Sequence, residues 1–197
     1  MEKTVWDRPE NITSRNFTCG YCGKEIASEK GFGGNRNGSS SYREYIYICH
    51  YCTRPTFIDF YGTQTPDVKY GGDVEDISES LVLELYDEAR NCMSVSSHTA
   101  SVLCCRKLLM NIAVSKGAKE GLQFIKYVEF LSDNHYVPPD AKEWVDHIRK
   151  KGNEATHEIA IMEREDAEEI ISFVEMILRL VYEFPARVKK KVTPAAP

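Results

Sequence analysis

Apolar positions along the chain follow two periods, and the change falls near residue 70. Before it, Tyr42 to Cys49 and Thr56 to Tyr61 are short runs of aromatic and β-branched residues, which predict strands. Between the two cysteine pairs lies Gly31-Phe-Gly-Gly-Asn-Arg-Asn-Gly-Ser-Ser-Ser. Such a stretch supplies flexible φ values and little to pack, so we expect a hairpin tip or a mobile loop there. From Gly62 to Asp73 neither period holds, as suits a linker.

Beyond the linker the period is helical. Leu81, Leu85, Ala89 and Cys92 form one stripe, Val102, Cys105, Leu109 and Ile112 a second, and Leu122, Ile125, Val128 and Leu131 a third. Trp144, Val145 and Ile148 make a short fourth. The last runs from Ala167 through Ile170, Ile171, Val174, Ile177 and Leu178 to Val181, with Glu165, Asp166, Glu168 and Glu169 near its start, where they complement the helix dipole. Pro185 is expected to follow its end. The fold class is therefore α+β: a small β domain over residues 1–62, a linker over 63–75, an all-α bundle over 76–185 and a basic, disordered tail over 186–197.

Composition narrows the class. With 42% hydrophobic and 28% charged residues in 197, the chain is neither disordered nor membrane-embedded. No stretch is long and apolar enough for a membrane span, and Met-Glu-Lys-Thr-Val-Trp-Asp has no signal-peptide core, so the expected location is cytoplasmic, with no membrane partner. The net charge of −5 hides an uneven distribution: the helical region carries the acidic excess, while Arg187, Lys189, Lys190 and Lys191 make the tail basic. Contact with nucleic acid by charge would fall to the first region and the tail. Phosphate loops, dinucleotide-binding glycine motifs, His-Glu-x-x-His and nucleophile elbows do not occur.

The strongest chemical signal is Cys19-Gly-Tyr-Cys22-Gly-Lys together with Cys49-His-Tyr-Cys52-Thr-Arg. Two Cys-x-x-Cys turns can place four thiolates around one metal, and four protein ligands close the coordination sphere, which makes the site structural. Zn²⁺ is the expected ion; a rubredoxin-like iron site and redox pairing use similar spacing. The spacing and the flanking strands resemble a zinc ribbon, and a ribbon of about 60 residues depends on its metal for folding. His50 is expected to be an exposed loop residue. Cys92, Cys104 and Cys105 fall in helical patterns and are expected to be core thiols.

A second stretch reads Trp144-Val-Asp-His-Ile-Arg-Lys-Lys-Gly-Asn-Glu-Ala-Thr-His157-Glu. Arg149, Lys150 and Lys151 suit a helix C-terminus, Gly152 a left-handed stop and Asn153 the cap of the next segment. Such a break would turn the chain and let Arg149 approach His157. This segment, after a helix containing Cys105-Arg-Lys-Leu-Leu and before the acidic-to-apolar last helix, resembles a prokaryotic family of domains of unknown function in the HEPN superfamily, whose members often carry a zinc ribbon in front. The resemblance implies a helical bundle, frequently dimeric, and in many members metal-independent RNase activity from an Arg and a His.

Here that pair would be Arg149 and His157, with His moving a proton from a ribose 2′-hydroxyl and Arg stabilising charge on the phosphate. Their spacing is one residue longer than the superfamily's, and Arg106 lacks the acidic residue four positions on, Met110 standing there instead. Arg106 is expected in a buried or partner-facing ion pair. The reading drawn from the sequence is a zinc-ribbon and HEPN-like module that binds nucleic acid (RNA above all) or a protein partner in prokaryotic defence or stress regulation; the alternatives are the RNase and a structural part of a larger complex. A homodimer is compatible with the first two.

Overall fold

A computed structural model describes the backbone at residues 3–35, 43–138, 142–157 and 161–192, and the side chains at the same positions except 142, 149, 152–157 and 192. The chain divides into two compact units, Met1–Lys69 and Tyr70–Pro197. The first is a five-stranded antiparallel meander, β1 (Glu10–Thr18), β2 (Glu25–Asn35), β3 (Arg43–Ile48), β4 (Pro55–Ile58) and β5 (Gln64–Thr65), in sequence order. The second is helical, and together they make the α+β layout. No described helix is long and apolar enough to cross a membrane.

In the sheet, Gly31, Tyr47 and Thr56 stand opposite one another, as do Phe32, Ile46 and Phe57. Alternation therefore gives the two rows to opposite faces. The first row is buried: Tyr47 packs against Phe17 with ring centroids 5.6 Å apart and donates its hydroxyl to the Thr13 carbonyl of β1. Two expectations change. β1 has a polar sequence and was not anticipated, and β2 extends through Gly31–Asn35, where a loop was expected. Gly31 is there for closeness: a Cβ would stand 1.9 Å from the Ile46 carbonyl oxygen. The remainder of the expected loop, residues 36–41, lies outside the described residues, as does Tyr42, the first residue of the expected strand.

The helical unit comprises α1 (Ser80–Ser94), α2 (His98–Ser115), α3 (Phe124–Asp133), α4 (Lys142–His157) and α5 (Arg164–Leu178), which passes through a π-helical turn (Arg179–Glu183) into α6 (Phe184–Val192). The hub is α2, which packs against α1, α3, α4 and α5 and buries Val102, Cys105, Leu108, Leu109, Ile112 and Ala113. The last stripe behaves as expected, every residue from Ala167 to Leu178 in it being buried. In α1 the buried face is Val82, Tyr86, Ala89, Arg90 and Met93, one position round from the expected stripe, and Leu81 stays 77% exposed. Tyr86 and Met93 outweigh Leu81 and Cys92 in apolar area, so the helix rotates to bury them.

Three boundaries differ from the sequence reading. First, α4 runs unbroken through Gly152 and Asn153. A glycine inside a helix costs about 1 kcal/mol. Packing of Val145 and Ile148, with a polar contact from His147 Nε2 to Glu169 (2.8 Å) and an ion pair from Lys151 to Asp166 (2.9 Å) on α5, holds the helix against that cost. Second, the chain stays helical past Pro185 to Val192, where an unstructured tail was expected from residue 186. A helical proline lacks an N–H and crowds the carbonyl four residues back. The π turn just before it, in which the Phe184 N–H bonds the Arg179 carbonyl, opens the ladder where the proline enters. Lys190 pairs with Asp76 at 2.6 Å and Arg187 with the buried Glu183 at 2.6 Å, holding α6 down.

Third, the last part of the expected linker is clasped by the bundle. Buried Arg90 donates to the carbonyls of Tyr70 (3.1 Å) and Gly71 (2.8 Å) and to the Asp73 carboxylate (2.7 Å). Glu175 accepts from the Gly72 N–H at 2.8 Å, and Tyr86 donates to the Gly72 carbonyl at 3.0 Å. Gly71, at φ +78°, supplies the turn. Residues 70–73 therefore fold with the helices. We expect Arg90→Ala to cost the helical unit about 2–3 kcal/mol, measured by denaturant unfolding followed by helical circular dichroism, because three charge-assisted bonds from one buried guanidinium are lost together.

Candidate metal centre

Each Cys-x-x-Cys turn is a tight knuckle closed by the same two backbone bonds. In the first, the Cys19 N–H meets the Lys24 carbonyl at 3.0 Å and the Gly23 N–H the Cys19 carbonyl at 2.8 Å; in the second, Cys49 meets Arg54 at 3.1 Å and Thr53 meets Cys49 at 2.8 Å. The knuckles are local repeats of one another. Gly23 (φ 65°) and Thr53 (φ 57°) occupy the same left-handed position. That conformation is unfavourable for a β-branched residue, and it is held by the N-terminal segment: Thr4 donates its N–H to Thr53 Oγ1 at 2.8 Å and Trp6 Nε1 donates to the Thr53 carbonyl at 2.7 Å.

The x positions differ for a steric reason. Gly20 lies under residues 66–67, where a Cβ would come within 2.4 Å of the Asp67 carbonyl oxygen. Gln64 Nε2 fastens that return by donating to the Thr18 carbonyl at 2.8 Å and the Pro66 carbonyl at 3.0 Å. The matching residue in the second knuckle, His50, is exposed beside Tyr51 with ring centroids 4.4 Å apart, while the cysteines are buried or half-buried. It stays outside the ligand set, as expected.

Cys19, Cys22, Cys49 and Cys52 converge, all four sulfurs lying within 4.8 Å of one another. Cys19 Sγ is 3.7 Å from Cys52 Sγ, and Cys22 Sγ is 3.7 Å from Cys49 Sγ, so each close pair spans the two knuckles. A tetrahedron with metal–sulfur bonds of about 2.3 Å has sulfur–sulfur edges of about 3.8 Å. The four thiols can hold one metal ion, and they leave no open ligand position. Without a metal, burial pushes the Cys19 thiol up to about 12 and raises Cys52 as well. At Cys49 burial also acts upward, but hydrogen bonds from the Cys52 and Tyr51 N–H groups and from the Cys52 and Cys22 thiols together outweigh it and hold the thiol below its usual value. Metal uptake must therefore displace protons, and affinity rises with pH.

The knuckles also cross at their outer surfaces. The Arg54 guanidinium of the second lies over the Tyr21 ring of the first at 4.9 Å, and the Lys24 ammonium of the first lies over the Tyr51 ring of the second at 5.5 Å. Both tyrosines are exposed. Neither was expected as a site residue, although the shared Cys-x-Tyr-Cys-x-cation pattern was there to be read.

The other expected site residues are not brought together. Arg149 and His157 lie on the single helix α4, as do Gly152 and Asn153, and the side chains of all four are outside the described residues. Eight positions along a straight helix are separated by about 12 Å, so the turn that was to join Arg149 to His157 is absent from the backbone. Arg106 is buried on α2 with its guanidinium 4.2 Å from the centre of the Phe124 ring and its Nη1 without a hydrogen bond among the described residues. Burial lowers its pKa. Cys105 is a fully buried core thiol, whereas Cys92 and Cys104 are half-buried.

Comparison with known families matches residues 87–193, from the middle of α1 to the end of α6, to a domain of unknown function, DUF4145. The chain belongs to the DUF4145 family. The match takes in more than half of the chain and leaves the four-cysteine unit outside it. No curated protein and no solved structure matches the chain.

For the DUF4145 chain we expect one metal ion per molecule by elemental analysis. Cys22→Ala or Cys49→Ala, one from each knuckle, should each bring metal content close to zero. Cys104→Ala should retain it. Full metal content in both knuckle variants would exclude this site.

Proposed function

We propose that the N-terminal unit is a zinc ribbon whose knuckle end binds single-stranded nucleic acid, with RNA the first candidate. Zinc is supported by the donor set: four soft thiolates in a closed tetrahedral arrangement suit Zn²⁺, and the ion's role there is to hold the fold. The observation that carries the binding reading is the crossed pair of exposed tyrosines and cations. Tyr21 and Tyr51 offer aromatic faces on which bases stack, and Lys24 and Arg54 bring positive charge to the same surface for the phosphate backbone. Base stacking on an aromatic side chain contributes about 1–3 kcal/mol per base with little sequence preference.

Under this reading the DUF4145 region is a HEPN-like bundle joined to a nucleic-acid reader, a combination that suits prokaryotic defence or stress regulation. Cleavage by one chain through Arg149 and His157 is the weaker reading, because α4 carries the two residues on one straight run.

The test is fluorescence anisotropy of the zinc-loaded chain with labelled single-stranded RNA and DNA oligomers over a range of salt. Tyr21→Ala with Tyr51→Ala should weaken binding by roughly tenfold or more, with zinc content and circular dichroism unchanged. Lys24→Gln and Arg54→Gln should each flatten the dependence on salt by about one phosphate contact. Absence of binding at low salt, or binding indifferent to the tyrosines, would overturn the reading. Substrate electrophoresis alongside should show no cleavage, in wild type or in His157→Ala.

A further inference from the structure

The rotation of α1 that buries Tyr86 leaves an apolar trough on the outside of the helical unit. A cleft of about 560 Å³ lies between α1 and α2, floored by Val82, Leu108 and Tyr127 and walled by Leu81, Leu85, Met110 and Val114. Its rim is mainly acidic: Glu84, Glu88 and Glu120 stand against a single cation, Lys107. An open cleft of this kind, with Leu81 77% exposed in it, is an unfinished interface.

The same chain carries the matching element. Leu180, Phe184 and Val188 recur every four residues along the π turn and α6, and all three are exposed, Val188 at 61%. Arg187 and Lys191 flank that stripe at helical spacing, and Lys189 and Lys190 make the rest of the helix basic. Lys190 already holds α6 to its own chain through Asp76, and Arg187 pairs with Glu183 one turn back along the helix, which leaves α6 a ridge with its apolar side out. A ridge that is apolar and basic complements a cleft that is apolar and acidic, in shape and in charge.

The anchoring that exposes the stripe also keeps α6 from folding into its own chain's cleft. We propose that α6 of a second copy fills the α1/α2 cleft and that the exchange is reciprocal, each chain giving its helix to the other in a two-fold dimer. Phe184 and Val188 would enter between Leu81 and Val114, and Lys191 would meet Glu84 and Glu88. The contact is isologous and closed, so it ends at two chains. This dimer uses none of the knuckle surface, and its test is independent of nucleic-acid binding.

The experiment is sedimentation equilibrium on the full, zinc-loaded chain, with two variants built only at exposed positions: a cleft variant, Leu81→Lys with Glu84→Lys, and a helix variant, Phe184→Glu with Val188→Glu. Wild type is expected to be a dimer, and each variant should dissociate with a constant raised on the order of a hundredfold, while retaining wild-type helical circular dichroism. Mixing the two variants restores one intact helix-in-cleft contact, so a heterodimer should form where neither variant dimerises alone. A monomeric wild type, a dimer indifferent to both variants, or failure of the mixture to associate would each overturn the proposal.

Discussion

Everything in the first 69 residues depends on four sulfur atoms sharing one small volume. The buried cluster around them is Ile26 and the cysteines, with Phe17 at its edge, too little apolar surface to hold two knuckles together. Sheet hydrogen bonds align β2, β3 and β4, and Tyr47 closes one face onto β1, but at their buried centre the knuckles meet through the cross-paired thiols. A metal ion changes the sign of that contact. Four thiolates repel and four thiols contribute little, whereas four thiolates on one cation supply on the order of 10 kcal/mol of binding free energy to the fold. The crossed tyrosines and cations follow from the same constraint, because they face each other only when the knuckles do.

The helical unit solves its stability problem in the ordinary way, with large aliphatic side chains around α2. Its distinguishing feature is the use of arginine and glutamate to fasten segments that would otherwise be loose. Arg90 gathers the carbonyls of residues 70 and 71, Glu175 takes the amide of Gly72, and Glu183, buried in the π turn, accepts a hydrogen bond from Arg179 on one oxygen and lies in an ion pair with Arg187 at the other. These charge-assisted contacts fix both ends of the unit: the entry segment at one, α6 at the other. Fixing α6 leaves its apolar ridge outward, and rotating α1 leaves the cleft open.

Much of this was legible in the sequence, for identifiable reasons. The four-cysteine cluster is legible from cysteine spacing because the geometry of a ligand pair is local to each knuckle and demands the same residue twice. The α5 core was read from Ala167, Ile170, Ile171, Val174, Ile177 and Leu178 because its stripe has no competing face. In α1 the choice between the Leu81 and Tyr86 faces depends on what packs opposite, which periodicity does not carry. Gly31, Gly71 and Gly152 show the same limit. Each resembles loop or stop chemistry, yet one serves a close strand crossing, one a clasped turn and one the interior of a helix, and only the tertiary partners separate those uses. Pro185 was read as a terminus because the π turn that admits it leaves no residue signature.

The most direct test of the central claim is amide hydrogen exchange of the intact chain before and after the metal is removed, resolved to peptides and with metal loss verified. If the ion holds the first unit, peptides from β2, β3 and β4 lose protection on removal and regain it on addition of Zn²⁺, while those from α2 and α5 keep theirs throughout. Protection in β3 that survives complete metal removal would show that the sheet stands without the ion, and would contradict the account.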